Sequence, residues 1–166
     1  MNSVARGSAR SGRLTHAQIA SWRSFLRAHA AVTRKLEADL LAEHKMLFAW
    51  YDVMVQLVEA PDHRLRMTDL AGAVLISRSG LTRLVDRLVA EGLVRREPAP
   101  HDARGTFAVL TDTGYERLRA ATPTHLRGVG GYVIDRVSPD QLRALGEACN
   151  LIAAPDDDRP AAPAGS

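Results

Sequence analysis

Between residues 78 and 104 the chain sets out side chains suited to one kind of chemistry, reversible contact with a nucleic acid. Arg78, Ser79, Thr82 and Arg83, followed by Asp86 and Arg87, fall at spacings that share one helical face. An arginine fork can grip a guanine edge or a phosphate, and a serine or threonine hydroxyl can bond either. Arg104 then follows in the polar segment HDARG (101–105). An arginine at a hairpin tip suits a narrow minor groove, where the potential is strongly negative. Asp102 cannot attract DNA by charge, so its expected role is to orient Arg104 or another nearby arginine. A polar helix face and a charged hairpin tip are each ordinary surface features when alone. Their direct succession is what favours DNA.

Other chemistries find no frame in this sequence. There is no Gly-rich phosphate loop, no nucleophile elbow and no convincing carboxylate pair, so an enzyme is not expected. His63 falls in a turn and His101 in the polar loop, without H-x-x-x-H or C-x-x-C spacing, so neither metal nor cofactor is expected. The single cysteine, Cys149, can form no internal disulfide, which fits a reducing cytoplasm. It has no cationic neighbour in its own helical turn to hold a thiolate, so a small core residue is the better reading than a peroxide sensor.

For the 78–87 face to be presented, its helix must be anchored from behind. Leu81, Leu84, Val85, Leu88 and Val89 recur at i, i+3, i+4, i+7 and i+8, which predicts a core-facing stripe on a helix over 78–91. Ser77 is the expected N-cap and Gly92 the expected C-cap. A shorter helix over 69–75, capped by Thr68 and faced with Leu70, Ala71 and Val74, precedes it across a turn at Leu75–Ile76. Two extended runs, 93–100 and 106–111, flank the polar loop 101–105 and predict a β-hairpin, with Pro98 and Pro100 confining the first strand to an edge.

Outside this unit the pattern is helical. A long helix is predicted from Thr15 to about Lys45, with Ile19, Trp22, Phe25, Leu26, Val32, Leu36 and Leu40 as its apolar stripe. A second spans roughly 47–60, with Tyr51, Met54, Leu57 and Val58 inward. Thr111 should cap a helix running from Asp112 toward Val137, and Ser138–Pro139 should start a last one over 139–153. The expected organisation is a disordered basic arm (1–13), an N-terminal helix (14–46), a winged helix-turn-helix (47–111), C-terminal helices (112–154) and a disordered tail (155–166).

Composition limits these readings without making them. With 166 residues, 46% hydrophobic and 25% charged, the chain is long enough for one globular domain. No apolar run approaches membrane-spanning length, and no apolar stretch follows the basic N-terminus, so neither a membrane helix nor a secretory signal is expected. The net charge of +3 says little, because the basic arm and acidic tail dominate it. More telling is the 64–105 stretch, with eight arginines, five acids and no lysine; arginine suits phosphate forks, although an arginine-biased genome would produce the same.

The chain resembles the MarR family of bacterial winged-helix regulators over roughly residues 14–153. The resemblance rests on LT (14–15), the block MTDLAGAVLISRSGLTRLVDRLVAEGLVRR (67–96), the D-x-R-G of Asp102–Gly105, LTDTG (110–114) and SPDQLRALGEA (138–148). It implies a mainly α fold with a small β-wing, and a cytoplasmic homodimer in which the N-terminal helix (14–46) and the C-terminal helices (112–154) intertwine as dimerisation helices. It implies a transcriptional repressor that occludes a pseudo-palindromic operator in double-stranded DNA, with recognition helices about 34 Å apart. Carried across residue by residue, Arg78, Ser79, Thr82 and Arg83 become the major-groove candidates and Arg104 the minor-groove candidate, oriented by Asp102. Gly128, Gly130 and Gly131 depart from the family pattern, and imply either a bend or close packing across the dimer.

The resemblance also implies release by a small, often aromatic and anionic, ligand. Trp22, His29, His44, Trp50, Tyr51 and Met54 could wall such a pocket, although Trp22 and Met54 lie on apolar stripes and are expected in the core. Two alternatives stand beside the ligand-released regulator: a winged-helix adaptor that meets a protein groove, and a redox-responsive regulator acting through Cys149. Salt separates the adaptor from a DNA binder, because only phosphate contacts release counterions.

Overall fold

The structure is a computed structural model. It describes residues 13–74, 78–99 and 102–154, apart from the side chains at 78–79 and 102–104. The predicted arm and tail therefore lie outside the described residues, except Arg13, and so do the Leu75–Ile76 turn, the Ser77 cap, Pro100 and His101. Helices α1 (His16–His44), α2 (Phe48–Glu59), α3 (Met67–Ala73), α4 (Arg78–Ala90), α5 (Asp112–Tyr132) and α6 (Pro139–Ala153) surround three strands, β1 (Arg64–Arg66), β2 (Val94–Ala99) and β3 (Asp102–Leu110). The fold is mainly helical with a small antiparallel sheet. No helix among the described residues is long and apolar enough to cross a membrane.

Side-chain caps fix several helix starts. Thr15 and Gln18 form a reciprocal capping box at α1, and Ser138 and Gln141 form another at α6, where Pro139 occupies the first turn. Thr111 Oγ1 accepts from the Gly114 amide at 3.0 Å at the start of α5. At the end of α4, Gly92 takes φ +72°. The Leu93 amide reaches back to the Leu88 carbonyl at 2.9 Å and the Gly92 amide to the Val89 carbonyl at 2.9 Å, a Schellman stop.

The expected Thr68 cap is not formed. Helix α3 begins two residues earlier, after Arg66, without a side-chain cap bond, and the Thr68 hydroxyl instead donates to Asp69 at 3.3 Å. The reason is β1, a three-residue strand that the sequence reading missed. It pairs with β3 through Arg64↔Val109, Leu65↔Ala108 and Arg66↔Phe107 and delivers the chain directly into α3. The sheet order is β1-β3-β2, which leaves Pro98 on an edge strand as expected.

The hairpin is also longer than its apolar pattern suggested. Ladder pairing continues to Ala99↔Asp102 after an irregularity between Pro98 and Ala99, so most of the expected HDARG loop is strand. Backbone pairing does not require apolar side chains, and polar residues hid the extension. At the other end, α5 stops at Tyr132, followed by a 3-10 turn at Ile134–Arg136, rather than running to Val137.

The core is one cluster from Leu40, Met46, Tyr51, Val53, Met54, Leu57, Leu70, Val74, Leu81, Leu84, Val85, Leu88, Val94, Ala108, Leu110 and Leu118. It lies under the sheet, between α2, α3, α4 and the first half of α5. Val89, expected in the α4 stripe, is 37% exposed. Beyond the core, α1 lies along α5 through Leu36, and a Cβ on Gly128 would come within 2.6 Å of Leu36 Cδ2. The missing side chain at Gly128 thus allows close packing within one chain, whereas Cβ atoms on Gly130 and Gly131 would meet nothing within 4 Å.

Polar bonds tie the same two helices together. Thr124, 3% exposed, donates its hydroxyl to Glu43 at 2.8 Å. The Thr124 oxygen must then accept from His44 Nε2–H, 2.9 Å away, which sets the His44 tautomer. Arg127 also donates to Glu43. The bond from Thr124, then that from Arg127, holds the Glu43 carboxyl below its ordinary value. Arg117 donates to the His44 carbonyl at 2.9 Å, and the Tyr132 hydroxyl donates to Asp39 at 2.7 Å.

Candidate nucleic-acid interface

Helix α4 is held by Leu81, Leu84, Val85 and Leu88, all buried. Its opposite face exposes Thr82, Arg83, Asp86 and Arg87. Arg78 and Ser79 begin the helix, as the spacing required, but their side chains lie outside the described residues. Of the four major-groove candidates, the structure therefore places Thr82 and Arg83 on the presented face and the other two at its N-terminal start by backbone alone.

The hairpin stands beside that face. Val94 and Arg96 share one side of β2, Val94 buried under the sheet and Arg96 turned toward α4. Arg96 Nη2 donates to Asp86 Oδ1 at 2.8 Å and lies 3.4 Å from the Thr82 carbonyl, at the long limit of a hydrogen bond. On the other side of the strand, Arg95 forks onto Glu97 Oε1 at 3.0 and 2.7 Å. Asp102 and Arg104 fall within β3 rather than in a loop. Their side chains, and with them the expected Asp102–Arg104 brace, lie outside the described residues.

A cleft of about 420 Å³ opens between these elements, lined by Arg66, Met67, Thr68, Thr82, Arg96, Gly105 and Thr106. Next to it, the guanidinium groups of Arg64 and Arg66 lie 5.3 and 5.2 Å from the centre of the Phe107 ring. Arg66 and Arg96 were not singled out from sequence as part of this surface. Strand alternation was the available signal for Arg96; for Arg66 there was none, because β1 itself was not foreseen.

A second junction ties the root of the hairpin to α5. The Thr111 hydroxyl donates to the Gly92 carbonyl at 2.7 Å, with the Leu93 carbonyl at 3.0 Å, and the Thr111 amide donates to Leu93 at 3.1 Å. Gly114 sits so close that a Cβ there would lie 2.1 Å from the Leu93 carbonyl oxygen. The LTDTG segment is thus a clasp joining the end of α4, the root of the hairpin and the start of α5.

The six effector-pocket candidates are not gathered into one site within the chain. Tyr51 and Met54 are in the core, with Tyr51 stacked on His125 at a ring separation of 4.4 Å. His44 is engaged by Thr124. Trp50 borders a separate groove with Leu93 and Arg117. His29 is exposed, and so is Trp22, at 57% rather than in the expected core. Among the described residues, no other element covers that half of α1. Cys149 is partly exposed on α6.

Comparison with known proteins bears on this arrangement. A family model described as MarR family matches residues 44–105, from the end of α1 into the second strand of the hairpin. The chain is similar to Sco3205, a MarR family transcriptional regulator from Streptomyces coelicolor solved in complex with DNA: 41% identity, TM-score 0.80, covering 89% of this chain and 97% of that one. It is also similar to AbsC, a MarR family regulator of the same organism: 36% identity, TM-score 0.78, covering 86% and 96%. The HTH-type transcriptional repressor YetL of Bacillus subtilis (strain 168) is 30% identical over 91 residues, 55% of this chain and 54% of YetL. The match to YetL thus spans about half of that repressor's length.

Proposed function

The chain belongs to the MarR family of transcriptional regulators, and we propose that it acts as a homodimer that binds a pseudo-palindromic operator and represses by occlusion. The observation that carries this is the pairing of an anchored helix with a hairpin at its side. Four buried aliphatic residues fix α4 from behind, its outward face carries Thr82, Arg83 and Arg87, and β2 and β3 flank it. Such a face fits a major groove while the hairpin follows the adjacent minor groove. Arg78, Ser79, Thr82 and Arg83 are assigned to bases and nearby phosphates, and Arg104 to the minor groove with Asp102 orienting it. That Sco3205 was solved with DNA supports the assignment.

Dimerisation is supported by what the single chain leaves uncovered. Helix α6 has no buried residue, and α1 buries only Leu36 and Leu40, both in its second half. Trp22, Phe25, Leu26, Leu145, Leu151 and Ile152 are between 39% and 65% exposed. Apolar surface of this extent, on both terminal helices, calls for a second copy. Two copies would bring two α4 helices to one duplex, hence the two-fold operator.

Release by a small aromatic or anionic ligand completes the proposal. A pocket using Trp22 and His29 would have to be closed by the second copy, since both are exposed in one chain. Selection of bound duplexes from a random DNA pool tests the main reading, with enriched inverted repeats about one helical turn apart as the expected result. Affinity should also fall steeply with salt. A flat salt response and no enriched sequence would instead favour a protein-binding adaptor. Phenolic acids that raise Tm and loosen DNA would support the ligand, and DNA binding altered by peroxide would point to Cys149.

A further inference from the structure

We infer that Asp86 is a positioning residue: through Arg96 it fixes the angle between α4 and the hairpin, so that helix and wing meet DNA as one rigid reader. The inference rests on the DNA-binding reading of the same surface. Asp86 stands on the outward face of α4, between Arg83 and Arg87, where a carboxylate opposes DNA by charge. It is nevertheless engaged by Arg96, ten residues away on another element, at 2.8 Å. The same guanidinium lies 3.4 Å from the Thr82 carbonyl one turn earlier, so Arg96 spans one turn of the reading helix.

The remaining support of β2 explains why this bond matters. The strand is an edge, paired only with β3 among the described residues, and Pro98 gives it no amide donor there. The large apolar side chains buried along it, Leu93 and Val94, lie at its root, and at its far end only the small Ala99 is buried. Ala99 at the strand's end lies three residues beyond Arg96, roughly 10 Å. A tilt of about 10° at Arg96 would therefore displace that end by roughly 1.7 Å, enough to lose a hydrogen bond. The side chains of Asp86 and Arg96 are 59% and 30% exposed, so the pair adds little to global stability. Its effect falls on geometry.

The sign of one substitution separates positioning from simple charge. Asp86→Asn removes a negative charge from the DNA side, so charge alone would tighten binding. Positioning requires the opposite. With an operator selected for the parent protein, Asp86→Asn should weaken binding about tenfold at unchanged Tm. Hydroxyl-radical protection should be lost at minor-groove positions, while methylation protection of major-groove guanines persists. Asp86→Asn leaves Arg96 only a neutral amide oxygen, whereas Asp86→Glu keeps the carboxylate and should restore most of the affinity and the minor-groove protection. Arg96→Met should reproduce the loss. Equal or tighter binding by Asp86→Asn, or uniform weakening with both protections reduced alike, would overturn the inference. If the parent enriches no duplex at all, the DNA-binding reading fails first and takes this one with it.

Discussion

Arg83 lies on the exposed face of α4, opposite the aliphatic residues that anchor the helix. Replacing it with alanine should weaken operator binding by about 1–3 kcal/mol and relax base preference at one position of each half-site. Binding measured across a set of single-base operator variants checks both effects. Arg104→Ala should instead act mainly on sites with a narrow A·T-rich minor groove. If both variants, still folded and paired, bind like the parent, the proposed reading surface is wrong. His125 tests a different property at the same scale. Burial against Tyr51 and Phe48 holds its pKa below the ordinary 6.5, and Nδ1 is buried with no hydrogen-bond partner among the described residues. The folded chain therefore resists protonation that the unfolded chain accepts. Stability from this site is full above pH 6.5 and declines as pH falls from there toward the lowered folded value. Denaturant midpoints followed downward from neutral pH should fall less steeply for His125→Phe than for the parent.

The clasp at LTDTG and the α1–α5 contact belong to the scale of elements, where two glycines in one helix should behave in opposite ways. Gly114→Ala would drive a Cβ into the Leu93 carbonyl, with a cost of about 1–3 kcal/mol or more because backbone must move. Gly130→Ala meets open space and should gain up to about 1 kcal/mol from helix propensity. Thermal melts would register these as shifts of about 2–4 °C per kcal/mol, downward and upward respectively. The sequence made the long elements legible because their signals are local: Thr15, Thr111 and Ser138 mark helix starts, and the 81–88 stripe marks the anchored side of α4. It did not reveal β1, since three residues, RLR, show no alternation long enough to register. Nor did it reveal the Asp86–Arg96 bond, which joins different elements and depends on how the sheet packs. Gly128 was legible as an anomaly, but its neighbour, Leu36, emerged only once α1 lay along α5.

For the whole molecule, the terminal helices set the expectation. Trp22→Glu or Leu151→Asp should shift the sedimenting species from twice 18.1 kDa toward a single chain and abolish tight operator binding. The parent's Tm should rise with protein concentration, while that of a separated variant should not. The bare surface of α6 also has a regulatory consequence. In the proposed pair, the functional reader exists only after two chains meet. While chains are scarce, paired molecules increase as the square of the chain concentration, so a twofold change in synthesis becomes about a fourfold change in available repressor. Assembly would then act as an amplifier, giving the regulated promoter a steeper dependence on repressor dose than a monomeric binder could provide.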